Sequence, residues 1–244
     1  MNKSYDGTYL QKLQTFYAKT KQRSYELLNA KPQETIIDIG CGVGGDVANI
    51  AQSGADVIGI DNDPEFIEIA KENCTNTFIC CEAASIPLAD NSVDKIRFDR
   101  VFQHIANHNE VLQESSRILK PEGTLQIIDA DYLGMTLFLE DEKLERKIID
   151  TIAYNRIPNG HKTRKLPTIL RDNGFAITAT EIHHYLIDDY TLLNQIIRFD
   201  KVVNEEYQKG NFTREEWESW QEHNRKKQLY FSFDLFILQA AKGQ

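Results

Sequence analysis

The sequence has no apolar run long enough to span a membrane, and its opening stretch, MNKSYDGTYLQKLQ, is too polar to read as a signal peptide. Cationic side chains are in deficit. The chain carries 28 Lys and Arg against 37 Asp and Glu, a formal net charge of −9. Proteins that grip a polyphosphate backbone present a basic face, so no nucleic-acid substrate is expected. Cysteines are few: Cys41, Cys74, Cys80 and Cys81, with no CxxC pair among them. Cys80 and Cys81 are adjacent and would point to opposite faces of a strand. That spacing argues against a metal site or a disulfide framework and for the reduced thiols of a cytoplasmic protein. Internal repeats and low-complexity tracts are also missing.

What is present is a chain of 244 residues, 41% of them hydrophobic. This is enough to bury a sizeable core in one full α/β domain with insertions, or in a domain plus a small cap. The segment from Ser4 to Asn29 reads as a helix that Pro32 ends. A rhythm of strand, turn and helix follows. TIIDIG is a short apolar strand, GGDVANIAQSG a helix stopping at Gly54, and DVIGID a second strand. Asp63 and Pro64 read as N-cap and first position of the next helix. TFICCEA and VDKIRFD are the third and fourth strands. Val111, Leu112, Ser115, Ile118 and Leu119 line one helix face, and KPEG turns the chain into a fifth strand, TLQIIDAD. Strands alternating with helices imply a mainly parallel sheet covered on both faces. Beyond Asp131 the rhythm breaks. Residues 132–165 read as helical, LPTILRDNGF as a helix closed by Gly174, and AITATEIHHYLI and LYFSFDLFILQAA as two further strands around a helical stretch, 190–227.

Gly40, Gly42 and Gly44 fall at the end of the first strand, and ligands of an open α/β sheet collect at such carboxyl ends. Asp61 ends the second strand and suits the two hydroxyls of a ribose. Gly40, Gly42 and Gly45 satisfy the dinucleotide pattern GxGxxG, while Gly40, Gly42 and Gly44 satisfy GxGxG. The glycines alone therefore leave two cofactor classes open. Asp38 separates them. A carboxylate inside an apolar strand needs a partner, and it repels a pyrophosphate but suits a cationic or ammonium-bearing cofactor. A carboxylate capping the N–H groups of its own turn is the alternative, compatible role.

The ordered run IIDIGCGVGGDVANIA, GADVIGIDNDPEFIEIAKEN, CCEAASIPLADNSVDKIRFDRVFQHI and EVLQESSRILKPEGTLQIID resembles class I S-adenosylmethionine (SAM)-dependent methyltransferases, in particular the small-molecule group that includes ubiquinone and menaquinone biosynthesis enzymes. The resemblance covers residues 35–131. It implies a Rossmann-like seven-stranded, mainly parallel sheet with helices on both faces and the last strand antiparallel, with helical insertions after strands five and six. It also implies SAM as cofactor and S-adenosylhomocysteine as product. Gly40, Cys41, Gly42 and Gly44 would lie against the methionine part, which Asp38 orders. Asp61 would hold the ribose, Asn62 the adenine edge, and Glu82 and Ala83 the adenine amino group. Phe98 and Asp99 would complete the cofactor site, and Arg23 is a candidate for the SAM carboxylate, a solvent-facing arginine being the alternative. The turn LKPEG replaces the family's LKPGG at Glu122, with no functional consequence expected.

Methyl transfer requires alignment of the acceptor and exclusion of water, and a base where the nucleophile is protonated. His104, in FDRVFQHI, is the candidate base; a structural histidine near a helix start is the alternative. Arg100, Asp131 and Tyr132 are candidates for contact with a small-molecule methyl acceptor. The cluster HKTRK, His161 to Lys165, reads as a solvated loop and helix start or as a receiver of an anionic group. Phe212, Trp217 and Trp220 read as core packing or as a pocket wall. The expected organisation is one methyltransferase domain, 1–244, with an N-terminal helical lid (1–31, including Tyr5 and Tyr9), a SAM-binding core (32–131) and a substrate cap (132–165 and 190–227). Neither a membrane nor a metal is expected, and one sequence fixes no oligomeric state.

Overall fold

The computed structural model describes residues 15–226 and 230–243; Tyr5 and Tyr9 lie outside them. Seven strands form one sheet in the order β3-β2-β1-β4-β5-β7-β6. They are β1 (Thr35–Ile39), β2 (Asp56–Asp61), β3 (Thr77–Cys80), β4 (Val93–Asp99), β5 (Leu119–Ala130), β6 (Phe175–Ile187) and β7 (Phe231–Lys242). The pairs from β3 through β5 are parallel, and β7 runs antiparallel. All seven expected strands form. The third is shorter than the sequence suggests. The Cys81 N–H bonds to the Asp61 carbonyl, and the chain then turns, with Ser85 N–H donating to Glu82 O. Since β1 has β2 on one side and β4 on the other, the chain reverses its direction of travel there. This is the switch point of the sheet.

The helices in chain order are α1 (Ala18–Leu28), α2 (Gly45–Ala51), α3 (Pro64–Asn73), α4 (His108–Ile118), α5 (Glu142–Asp150), α6 (Leu166–Asp172), α7 (Tyr190–Ile196), α8 (Phe199–Gln208) and α9 (Arg214–Lys226). Local chemistry sets several ends. Asp63 caps α3 by accepting the Glu65 N–H at 2.9 Å, with Pro64 in the first turn. Gly174, at φ +81°, closes α6. Between β4 and β5, Val93 pairs with Leu119 but Lys95 with Thr124, so the KPEG stretch is a bulge rather than a free turn. Glu122 sits there at φ +62°, a left-handed conformation that costs a non-glycine residue about 1 kcal/mol. A glycine would adopt it freely.

The chain divides into two compact units. The first comprises 1–129, 164–182 and 236–244; the second comprises 130–163 and 183–235. In the first, alternation along each strand sends side chains to two faces. Ile37, Ile39, Ile58, Ile60, Ile96, Phe98, Leu125 and Ile127 pack with Val111, Leu112 and Ile118 of α4 and with Leu166 and Leu170 of α6. Ile36 and Val57 point the other way, into a smaller cluster with Leu28 of α1, Val47 and Ile50 of α2, and Ile67 and Ala70 of α3. This second face is not wholly apolar. Register places Gly59, Asp38, Arg97 and Gln126 side by side across β2, β1, β4 and β5.

The 132–165 stretch, which belongs to the second unit as far as Thr163, is less helical than its sequence suggests. One α-helix, α5, runs into a wider π turn over Thr151–Arg156, where the Thr151 hydroxyl bonds to the Lys147 carbonyl at 2.8 Å. Among the described residues, the stretch from 190 to 226 holds three helices, α7, α8 and α9. Their packing centres on Trp220, which is fully buried and donates its indole N–H to Asp200 at 2.9 Å. Phe212 is also buried, and Trp217 stacks on Tyr207. Among the described residues, no helix is long and apolar enough to cross a membrane.

Candidate functional site

The apolar strand β1 delivers the chain to the switch point, and the turn beyond it needs glycine for stated reasons. Gly40, Gly42 and Gly44 have φ of +73°, +53° and +83°, the region that side chains disfavour. A Cβ on Gly40 would also lie 2.2 Å from the Val101 side chain. Gly45 instead opens α2. The conformational demand therefore follows the GxGxG spacing, and the third glycine of GxGxxG is an ordinary helical residue.

Asp61 ties this turn to the end of β2. Its carboxylate accepts the Gly42 N–H at 2.9 Å on one oxygen and the Asp63 N–H at 3.0 Å on the other. Burial raises its pKa, against those backbone bonds. Each oxygen retains a lone pair, so the group can still take the two hydroxyls of a ribose. One residue on, Asn62 Nδ2 bonds to both carboxylate oxygens of Glu82, at 3.2 and 3.3 Å. Asn62 and Glu82 thus share one exposed edge at the ends of β2 and β3, with Ala83 packed against the core beside it. Phe98 has no exposed surface, and its ring meets Phe102 edge-on at 5.4 Å. At that position only the backbone is available to a ligand.

Beside the turn lies a buried ionic cluster. The Arg97 guanidinium donates to Asp38 Oδ1 at 2.9 Å, Asp46 Oδ2 at 3.1 Å and Asp99 Oδ2 at 2.9 Å. Lys21, from α1, bonds to Asp46 and reaches Asp99 at 2.7 Å. Arg100 donates to the other Asp99 oxygen at 3.0 Å and lies over the Tyr17 ring at 4.6 Å. Three cations therefore meet three carboxylates, and Tyr25 adds a hydroxyl to Asp46 at 2.6 Å. Burial pushes the Asp99 carboxyl up, but Lys21, Arg100 and Arg97 together outweigh it and hold the group well below the usual range. Asp46 is lowered against its burial by Arg97 and Lys21. Asp38 takes its one side-chain bond from Arg97, and burial prevails there, raising its pKa to about 6.

The same cluster docks α1. Its buried face is Thr20, Lys21, Ser24 and Leu28, mostly polar. The Ser24 carbonyl accepts from Gln126 at 3.0 Å, and the Leu27 carbonyl accepts from Gln239 at 2.7 Å. Arg23 is on the outer side, where Glu181 and Glu26 bind its guanidinium, the former at 2.9 Å. The cation that α1 directs toward the glycine turn is Lys21, not Arg23.

Arg100 follows β4 at φ +58°, strained for an arginine. It leads into a single 3-10 turn over Phe102–His104. Gln103 N–H is anchored on Asp129 at 2.9 Å. His104 is open to solvent, yet crowded surroundings and the Arg100 charge lower its pKa. Its Nε2 lies 3.0 Å from the Gln103 amide. The histidine that ties the start of α4 to the core is His108, buried, bonded to the Phe102 carbonyl at 3.0 Å and stacked on that ring.

Asp131 and Tyr132 belong to the second unit. Asp131 is buried, and its N–H bonds to the Asp234 carbonyl at 2.9 Å. Tyr132 opens a short 3-10 turn and is partly exposed. The HKTRK cluster forms another 3-10 turn before α6, with His161 stacked on Tyr154 at 4.9 Å. Sequence reasoning missed Lys21, Asp46 and Arg97. No local pattern marked Arg97: VDKIRFD looks half-exposed, and the partner Asp38 is set by strand order.

Residues 37–127 match a family described as a methyltransferase domain. A 37.1 kDa protein of transposon TN4556 from Streptomyces fradiae is 27% identical over 96% of this chain and 70% of its own length. A demethylmenaquinone methyltransferase from Tropheryma whipplei is 28% identical over 46% of this chain and 48% of its own. The chain thus spans about half the length of that curated enzyme. In structure, phosphoethanolamine N-methyltransferase 2 of Haemonchus contortus, solved with phosphomonomethylethanolamine and S-adenosylhomocysteine, superposes with a TM-score of 0.61 at 17% identity, over all of this chain and 59% of its own.

Proposed function

The chain is a class I SAM-dependent methyltransferase, and from this premise we propose that it transfers the methyl group to an O, N or C atom of a small-molecule acceptor, leaving S-adenosylhomocysteine. The observation that carries the cofactor half is Asp61, holding the left-handed glycine turn at the switch point while keeping lone pairs for a diol. Around it the donor set fits SAM in chemistry. Asp38 supplies an anion for the methionine ammonium, and the Asn62–Glu82 edge supplies amide and carboxylate groups for the adenine.

SAM, when bound, supplies a methyl group on a good sulfonium leaving group. The chain's own work is then to bind, orient and deprotonate. The turn at Gly40–Gly44 lets the backbone approach the methionine portion closely. Arg100 and His104, which follow β4, serve the acceptor. A histidine with a lowered pKa is neutral near pH 7 and can take the proton of a phenol, an acidic carbon or an ammonium. Asp131 and Tyr132 are assigned to contact with the acceptor. The acidic balance of the chain supports a small molecule over a nucleic acid. The free thiols of Cys41, Cys74, Cys80 and Cys81 suit a reducing compartment, the cytoplasm.

The test is release of S-adenosylhomocysteine from SAM in the presence of pooled phenols, amines and enolisable carbon acids, with tRNA and denatured protein in parallel. Turnover with a low-mass pool supports the reading. Turnover with tRNA or protein alone replaces it with a macromolecular methyltransferase. SAM binding without turnover on any pool replaces it with a SAM-binding regulator.

A further inference from the structure

We propose that Arg97 is a positioning residue for the cofactor: by bridging Asp38, Asp46 and Asp99 it keeps the Asp38 carboxylate ionised and turned to receive the methionine ammonium. This rests on the SAM reading given above. The geometry begins with register. Asp38 and Arg97 are partners on the neighbouring strands β1 and β4, on the face that α1 covers. Both side chains are almost wholly buried, at 3% and 0% exposure. A carboxylate so placed cannot stay charged by itself. Arg97 binds Asp38 through Oδ1 alone. Among the described residues, Oδ2 carries no hydrogen bond, so one oxygen is pinned and the other is available.

Arginine suits this task better than lysine would. Its planar fork reaches three carboxylates at once from a fixed plane and stays charged in any surroundings. The groups that face Asp38 come from every neighbouring element. They are Lys21 of α1, Cys41 of the turn, Asp46 of α2 and Arg97 of β4; Tyr25 is bonded to Asp46, and Ser24 and Asp99 to Arg97. Lys21 and Arg97 are the cations among them. Lys21 is engaged by Asp46 and Asp99 and not by Asp38, which leaves Arg97 as the direct counter-ion. Burial and Asp46 push Asp38 toward protonation, and Arg97 opposes them. The balance is close, so the ammonium subsite is sensitive to the loss of this one guanidinium.

The experiment uses the full chain, with calorimetric titration of SAM and of methylthioadenosine from pH 5.5 to 8.5. Methylthioadenosine lacks the amino-acid portion, so it reports the adenosine site alone. For the wild type, SAM affinity weakens as pH falls through about 6, while methylthioadenosine affinity stays level. Arg97→Met moves the SAM profile at least about one unit toward higher pH and so weakens SAM at least about twofold at pH 7, with methylthioadenosine unchanged. Arg97→Lys, which keeps the charge but not the fork, falls between the two. An Arg97→Met profile that overlays the wild type overturns the proposal, as does equal weakening of SAM and methylthioadenosine, the mark of a scaffold residue. If the Met variant does not fold, the Lys variant is read alone: a shift toward higher pH supports the proposal, and an unshifted profile overturns it. Wild-type protein that binds neither compound overturns the SAM reading itself, and the proposal with it.

Discussion

Asp38 and Arg97 are direct neighbours across β1 and β4, joined at 2.9 Å inside the sheet. The acid proposed to receive the methionine ammonium is therefore also one corner of a buried network. Asp38→Ala should act on both. Arg97 would keep Asp46 and Asp99, so the stability loss should be about 2 kcal/mol, that of a charged hydrogen bond rather than of an orphaned ion. Thermal melts and SAM titration on the same sample check this; a lower melting temperature together with weaker SAM binding is expected.

Lys21→Met removes the cation that α1 places between Asp46 and Asp99. Breaking a buried pair by deleting one partner costs about 3 kcal/mol. The loss should be concentrated in α1, whose docking face is mostly polar. Hydrogen exchange of residues 18–28 should accelerate more than that of β1 or β4.

Acid should weaken the fold through Asp99 and Asp46. Their folded-state pKa values are lowered, so the stability they contribute is present above the unfolded value, about 3.9. It is lost as pH falls through the folded values. Asp38 has the opposite sign. Its folded pKa is raised, so its contribution is full below about 3.9 and is lost as pH rises through about 6. Urea midpoints from pH 3 to 7 should therefore fall steeply below about pH 4 in the wild type. Asp38→Asn should gain stability relative to the wild type between pH 5 and 7.

His104→Gln should lower kcat by about 10²-fold or more where the acceptor must lose a proton, with the Kd for SAM unchanged. Its lowered pKa puts the acid limb of the wild-type rate profile below the ordinary histidine value. An unchanged kcat with a protonated acceptor would remove the base from the mechanism.

Much of this was legible in the sequence because it depends on short-range chemistry. The strands of the core announce themselves as apolar runs, Asp63-Pro64 announces the start of α3, and the left-handed turn requires its three glycines. The resemblance to a methyltransferase rests on the same residues. The polar row was not legible. A strand such as VDKIRFD looks half-exposed, and only strand order reveals that Arg97 faces Asp38 with α1 above them. Choosing Lys21 over Arg23 likewise depends on which side of α1 meets the sheet. The second unit was read too simply as helix. The π turn after α5 and the break between α7 and α8, where Arg198 takes φ +62°, are set by packing rather than by periodicity.

The most direct measurement is calorimetry of the purified protein with SAM and with NAD, repeated on Asp61→Ala. SAM should bind at one site and NAD should not. Asp61→Ala should weaken SAM by about tenfold or more, the loss of a charged hydrogen bond to the ribose. Binding of NAD without SAM, or SAM binding indifferent to Asp61, would contradict the assignment of this glycine turn to S-adenosylmethionine.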